Sequence, residues 1–247
     1  MKKSVAFKFA LLAFSIMPTA VCAAHWGYEG EGSPERWGEL DNAWKTCKLG
    51  MNQSPINIDA TLNARISPLP INYIDAPETL VNNGHTIQAN MKADAKTTIT
   101  IDNKPYTLHQ FHFHAPSENT IRGKYYAMEM HLVHKNAEGE IAVVAVMFEK
   151  GAENTELDKL WKVMPEQADK KSLIEDSFDI NKLLPKEKNY WRFSGSLTTP
   201  PCSEGIIWLV LKRPLTLSEK QLEKFAHAMH HPNNRPVQPL HGRTVVE

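Results

Sequence analysis

Gln110-Phe111-His112-Phe113-His114 alternates polar and apolar side chains without a break, and Glu129-Met130-His131 repeats the two-residue spacing on a second segment. Successive side chains of a β-strand point to opposite faces, so residues two apart share a face. Phe111 and Phe113 then form an apolar face, and Gln110, His112 and His114 form the other. The two histidines of the first segment lie about 6–7 Å apart along a strand, close enough to clasp one ion. With His131 they offer three neutral imidazoles, which leave a divalent metal its full charge. Three protein ligands with the fourth position left to water is the open geometry of catalytic zinc. Glu129, beside His131, suits the carboxylate that fixes a ligand ring's tautomer. A lone His-x-His on a strand is usually an ordinary surface or core pair. The phenylalanine alternation, the continuation of the face by Gln110 and the second segment make a metal site the stronger reading.

Short β-like runs surround this stretch. They cover residues 56–59, 79–83, 86–89, 97–101, 106–114, 125–134, 141–149, 190–196 and 206–211, separated by turn residues such as Asn82-Asn83-Gly84, Asp102-Asn103 and Glu138-Gly139. Helical patterns are few: residues 156–163, and residues 218–230, where Ser218 with Gln221 three later is a capping-box signature. Residues 25–50 have no period and read as an irregular segment packed on a body. No repeat or linker divides the chain. The expected fold is mainly β, a β-rich α+β single domain with a few peripheral helices. His227 and His231, four apart, read as the cationic end of the last helix rather than a second metal pair.

The 247 residues carry 28 basic and 28 acidic side chains, with no block of like charge, so nucleic acid is not an expected partner. Lys2 and Lys3, an apolar run over residues 5–17 interrupted by Lys8 and Ser15, and small residues near Ala23 and Ala24 make a secretory leader. We expect cleavage after Ala23 or Ala24, with residues 1–23 as signal peptide and 24–247 as the mature domain. Removal takes three lysines and no acid, leaving a net charge of −3. No later segment suits a membrane span. The chain is therefore expected to be periplasmic or secreted, free of the membrane after cleavage. Of three cysteines, Cys22 leaves with the leader. Cys47 and Cys202 then read as one disulfide, with two buried thiols as the alternative.

The chain resembles the α-class carbonic anhydrases of the exported bacterial kind. The resemblance runs from His25-Trp26-Gly27-Tyr28 to Gln238-Pro239-Leu240. It rests on landmarks in family order: Gln53-Ser54-Pro55-Ile56, Asn83-Gly84-His85, the Gln110 strand, Ser117-Glu118, the Glu129 strand, and Tyr190-Trp191 leading to Gly195-Ser196-Leu197-Thr198-Thr199-Pro200-Pro201. It implies a large, twisted, mostly antiparallel central sheet with zinc at the bottom of a conical cleft. By resemblance, His112, His114 and His131 are zinc ligands, and Gln110 and Glu129 hold them. Thr198 is the hydroxyl beside the zinc-bound oxygen, and Glu118 receives its proton. Val133, Val143, Leu197 and Trp208 form the wall where carbon dioxide sits. His85 is the proton shuttle. Tyr28, Asn83, Gln88 and Thr199 order a water chain, and Cys47 with Cys202 matches the family's disulfide. The implied activity is the reversible hydration of carbon dioxide to bicarbonate and a proton by attack of zinc-bound hydroxide. A homodimer is compatible with this reading.

The chemistry agrees with the resemblance. Carbon dioxide is small and uncharged, so it needs an apolar niche rather than a charged clamp. Its hydration needs hydroxide at neutral pH, which zinc supplies by acidifying water. A histidine titrates in the range needed to relay the product proton. Three rivals stand beside this reading. A cupin-type metal oxygenase would use Glu118 as a ligand, but the second cupin motif is missing and Glu129 and His131 would go unused. A non-catalytic zinc-binding protein on the same fold usually lacks one of the histidines. Ester hydrolysis would be a side activity.

Overall fold

The computed structural model describes residues 25–174 and 177–247; the expected leader and its cleavage point lie outside them. The segment expected to be irregular is a succession of single turns. Three are 3-10 turns, and two are four-residue helices, α1 (Trp37–Leu40) and α2 (Thr46–Leu49). The strands in chain order are β1 (Asn57–Ile58), β2 (Ile71–Asn72), β3 (Thr79–Asn82), β4 (Ile87–Asn90), β5 (Thr98–Ile101), β6 (Lys104–His114), β7 (Thr120–Ile121), β8 (Met128–Lys135), β9 (Ile141–Lys150), β10 (Lys170–Leu173), β11 (Tyr190–Ser196), β12 (Glu204–Leu211) and β13 (Leu215–Leu217). Two longer helices, α3 (Thr155–Lys162) and α4 (Glu219–Met229), and a further 3-10 turn at Ile180–Leu183 complete the described elements. None of the described helices is long and apolar enough to cross a membrane. α4 begins as its sequence predicts: Ser218 accepts from the Gln221 N–H, and the Gln221 side chain accepts from the Ser218 N–H.

Eleven of these strands form one sheet, whose main path runs β10-β3-β4-β6-β8-β9-β12-β11. Most pairs are antiparallel, as expected. The exceptions within this sheet are β12 and β13, which both run parallel to β9. β1 and β7 make a separate two-stranded parallel pair.

Alternation splits the central strands into two faces. Phe111, Leu132, Val144 and Leu209 sit opposite one another across β6, β8, β9 and β12. They belong to the larger core cluster, which α3 covers with Leu157, Leu160 and Trp161 and α4 with Phe225 and Met229. The other face carries Gln88, His112, His131 and Ala145 in one row, and Gln110, Val133, Val143 and Trp208 in the next. The pleat thus aligns the polar positions of β6 with those of β8 and passes them into an apolar cluster on β9 and β12. Gly195 lies where β11 approaches that cluster. A β-carbon there would run into the Ser54 hydroxyl and the Trp208 ring.

Candidate active site

His112 and His131 are directly paired across β6 and β8, and His114 is paired with Glu129. One ligand atom from each of His112, His114 and His131 lies within 4.8 Å of the others. Each ring is tied by its other nitrogen. His112 Nδ1 donates to Gln110 Oε1 at 2.8 Å, His114 Nδ1 to the Asn233 carbonyl at 2.7 Å, and His131 Nε2 to Glu129 Oε1 at 3.0 Å. An imidazole that donates from one nitrogen presents a lone pair on the other. His114 Nε2 is such an atom, buried and with no hydrogen-bond partner. Burial, the largest effect, holds all three rings below the usual histidine range; neighbouring imidazole charge adds to this at His112 and His131. They are neutral, the form in which histidine binds a metal.

Glu129 is saturated as an acceptor. Oε2 takes the N–H groups of Glu118 and Asn119 at 2.7 and 2.8 Å, and Oε1 takes Asn119 Nδ2 at 2.7 Å beside its bond to His131. Burial still pushes its carboxyl up to about 7. Glu118 is also fully buried, and burial pushes it up to about 8 against the opposing pull of the Arg235 backbone and the Thr198 hydroxyl. Its Oε1 accepts from the Arg235 N–H at 2.8 Å. Thr198 reaches Glu118 closely enough to stabilise its charge, though Oε2 makes no bond of full hydrogen-bond geometry. Two buried carboxyls beside three neutral rings make a centre short of positive charge, with one orphaned nitrogen aimed among the rings. A dication fits that donor set.

A cleft of about 140 Å³ opens above His112 and His114, lined by Tyr28, Asn83, His85, Gln88, Gln110 and Thr199, together with Trp26 and Thr86. The turn that carries His85 is built by its own side chains. Asn83 Oδ1 accepts from the N–H groups of His85 and Thr86, and Gly84 takes a positive φ of 81°. The His85 ring stacks on Trp26, with centroids 3.7 Å apart. Partial burial lowers its pKa, with smaller contributions from His25 and His231. Gln88 is fixed by donating to Asn90 Oδ1 at 2.7 Å. Burial and the Glu118 charge hold the Tyr28 hydroxyl protonated. On the apolar side, Val143 and Trp208 belong to the second core cluster, and Val133 and Leu197 pack against it. The Trp208 ring meets His131 edge-on at 4.9 Å. The sequence-predicted residues therefore converge on one centre with a polar side and an apolar side.

Residues 32–247 match the family model described as eukaryotic-type carbonic anhydrase. The chain belongs to the α-class carbonic anhydrase family. A carbonic anhydrase of Klebsiella pneumoniae is 68% identical over 240 residues, spanning 97% of this chain and 98% of the relative. The solved α-carbonic anhydrase of Thermovibrio ammonificans, in complex with the inhibitor sulfanilamide, superposes with a TM-score of 0.88 at 48% identity, covering 91% of this chain and 99% of that one. Dioscorin complexed with ascorbate superposes at 0.83 and 31% identity over 90% of this chain and 97% of its own. The same fold thus carries different ligands, and the site must decide the chemistry.

This carbonic anhydrase also has site residues that the sequence did not point out. Asn233 holds His114 through its main-chain carbonyl, a group that every residue owns and no side chain advertises. Asn119 completes the acceptor shell of Glu129, and Arg235 touches Glu118 through its backbone. Cys47 and Cys202 are joined, with Cα atoms 5.0 Å apart. Cys202 N–H donates to the Thr199 carbonyl at 2.9 Å, so the crosslink lies next to Thr198 and Thr199.

Proposed function

We propose that this chain catalyses the zinc-dependent, reversible hydration of carbon dioxide to bicarbonate and a proton. The observation that carries the reading is the histidine triad, in which every ring is tied by one nitrogen and presents the other. His112, His114 and His131 would hold the zinc. When bound there, zinc supplies Lewis acidity that makes hydroxide available at neutral pH. An all-histidine set suits this, because it takes nothing from the ion's charge.

The remaining work falls to the chain. Gln110, Asn233 and Glu129 orient the three rings. Thr198 would donate to Glu118, which leaves its oxygen an acceptor that selects a reacting group with a proton to give. Val133, Val143, Leu197 and Trp208 give an uncharged substrate a dry wall beside His131. His85 relays the product proton to solvent, and Tyr28, Asn83, Gln88 and Thr199 order water between it and the centre. Its half-buried position at the cleft rim and its lowered pKa suit a group that must release protons readily. The disulfide supports an oxidising compartment, and with a leader over residues 1–23 we place the mature chain, 24–247, in the periplasm or outside the cell.

Stopped-flow hydration of carbon dioxide tests the reading on the mature chain, with the metal content measured. Activity should vanish on chelation and return with zinc. In His85→Ala, kcat should fall in dilute buffer while kcat/KM holds, because that ratio reports only steps through bicarbonate release. Added imidazole should restore kcat by acting as a diffusible base. Full activity after complete metal removal would refute the site, and a parallel fall of both constants without rescue would refute the shuttle.

A further inference from the structure

Beyond α4 the chain turns at His230, in the left-handed conformation, and runs alongside the histidine centre with no regular structure. This strap touches the centre repeatedly. The Asn233 carbonyl accepts from His114 Nδ1 at 2.7 Å, and its side-chain amide donates to the carbonyls of His85 and Phe113 at 3.0 and 2.9 Å. Asn233 Oδ1 accepts from the Ala115 N–H at 2.9 Å. The Arg235 N–H donates to Glu118 Oε1 at 2.8 Å. A segment without a ladder of its own is held only by such bonds and by whatever anchors it.

Besides the Gln238 N–H bond to the Pro55 carbonyl at 2.8 Å, the strap is anchored by the Arg235 side chain, which is 1% exposed. Nη1 donates to Gln53 Oε1 at 2.9 Å and to the Ser54 carbonyl at 2.8 Å, and Nη2 donates to the Cys47 carbonyl at 2.8 Å. The guanidinium also lies over the Trp37 ring, 5.6 Å from its centroid. All four partners come from the N-terminal part of the domain, and none belongs to the histidine centre. A buried arginine is costly, and an apolar side chain of similar volume would often fill the space at no loss of stability. Its planar fork does what an apolar group cannot: it fixes direction through several donors at once.

We infer that the Arg235 guanidinium is a positioning group for the active site. By clamping the strap to the Cys47–Ser54 segment, it sets the ring orientation of His114 through Asn233 and the orientation of Glu118 through its own backbone. The inference rests on the reading of His114 as a metal ligand, but the geometry it concerns exists in the metal-free chain.

The test uses three internal probes. His112, His114 and His131 each donate a ring N–H to the protein, and only His114 donates to the strap. Ring N–H exchange is followed by NMR in the full chain, metal-free and zinc-loaded, for Arg235→Met and Arg235→Lys. In Arg235→Met the His114 proton should exchange at least about tenfold faster, while the other two keep their rates. Zinc release should quicken roughly 10–100-fold, the usual effect of losing support for a ligand. Arg235→Lys, which retains one donor, should lie between. Gln53→Met, which removes one Arg235 acceptor together with the Gln53 Nε2 bonds to the Cys202 carbonyl and Glu204, should move the same proton by less and serves if Arg235→Met does not fold. Equal acceleration of all three protons in these variants, or none, overturns the inference and leaves Arg235 a filler of the core. A selective His114 response in a chain that does not hydrate carbon dioxide would instead reject the proposed activity and leave the positioning role standing.

Discussion

Each histidine of the triad spends one nitrogen on the protein, and the three acceptors differ: an amide, a main-chain carbonyl and a carboxylate. Removing a ring and removing its support should therefore give different results. His114→Ala should lose most of the zinc and nearly all hydration, because two ligands do not hold the ion well. Glu129→Gln should keep the ion but bind it roughly 10–100-fold more weakly. Equilibrium dialysis of zinc against a competing chelator distinguishes the two, and a His114→Ala protein with full occupancy would sink the assignment. A fourth histidine has a separate role. His134 faces the large core, accepts or donates through Nε2 to the Tyr73 hydroxyl at 2.7 Å, and is held down to about 3 by burial. Below the ordinary histidine pKa the unfolded chain gains a proton here that the folded chain refuses, so stability falls as pH drops from about 6.5 toward 3. Between pH 7 and 5 this group should remove about 2 kcal/mol. Urea unfolding at both pH values should show a smaller acid loss in His134→Leu, although that variant starts less stable because it leaves the Tyr73 hydroxyl unpaired. An identical pH dependence in both proteins would remove His134 from the account. At this scale the grouping of the three histidines was legible because strand alternation puts i and i+2 on one face. Asn233 was not, because a backbone carbonyl 119 residues from its ring leaves no mark on the pattern.

At the scale of elements, legibility mostly followed length, although the two-residue β1 falls inside the run read over 56–59. β6 and β8 carry several polar–apolar alternations, β9 and β12 are apolar runs of six residues or more, and the sequence located all four to within a few residues. β2 and β7 have two residues and β13 has three, too few to show a period. β10 is exposed along most of its length, so no buried face patterns it. The parallel pairing of β12 with β9 depends on which strands meet across the sheet, and no local pattern states that. The β11–β12 contact carries a test of the apolar wall. Gly195 lets β11 pass close over Trp208, and Trp208 Nε1 donates to the Ser196 carbonyl at 3.0 Å. Gly195→Ala should push that indole toward His131 and destabilise the fold by about 1–3 kcal/mol, the usual cost of overpacking. Its kcat/KM for carbon dioxide should fall while zinc stays bound. A variant with unchanged tryptophan fluorescence, stability and kcat/KM would show that the wall has room to spare.

Across the whole molecule, one covalent link joins parts that the sheet does not. Cys47 lies on α2 and Cys202 on the loop after Thr199, and they pack with Trp37, Trp26, Tyr28 and Trp44 in a small cluster of their own. Counting cysteines made the pairing legible, since only two remain once the leader is set aside. The structural consequence was not legible, because it depends on Arg235 and Thr199 reaching the same place. The bridge closes a separation of 155 residues. On the chain-entropy view, constraining so long a loop in the unfolded state stabilises the fold by roughly 5 kcal/mol, an upper figure because residual unfolded structure reduces it. Exported protein should show no free thiol under denaturing conditions. Full reduction should lower the melting temperature clearly, and the loss should reach the site, since both the Thr199 loop and the Arg235 anchor lean on the linked cysteines. We expect hydration activity to decline at temperatures where the oxidised protein is fully active, with far-ultraviolet circular dichroism still native. Two titratable thiols in exported material would refute the crosslink. A fully reduced protein that kept both its melting temperature and its activity would show that the sheet alone holds the centre in place.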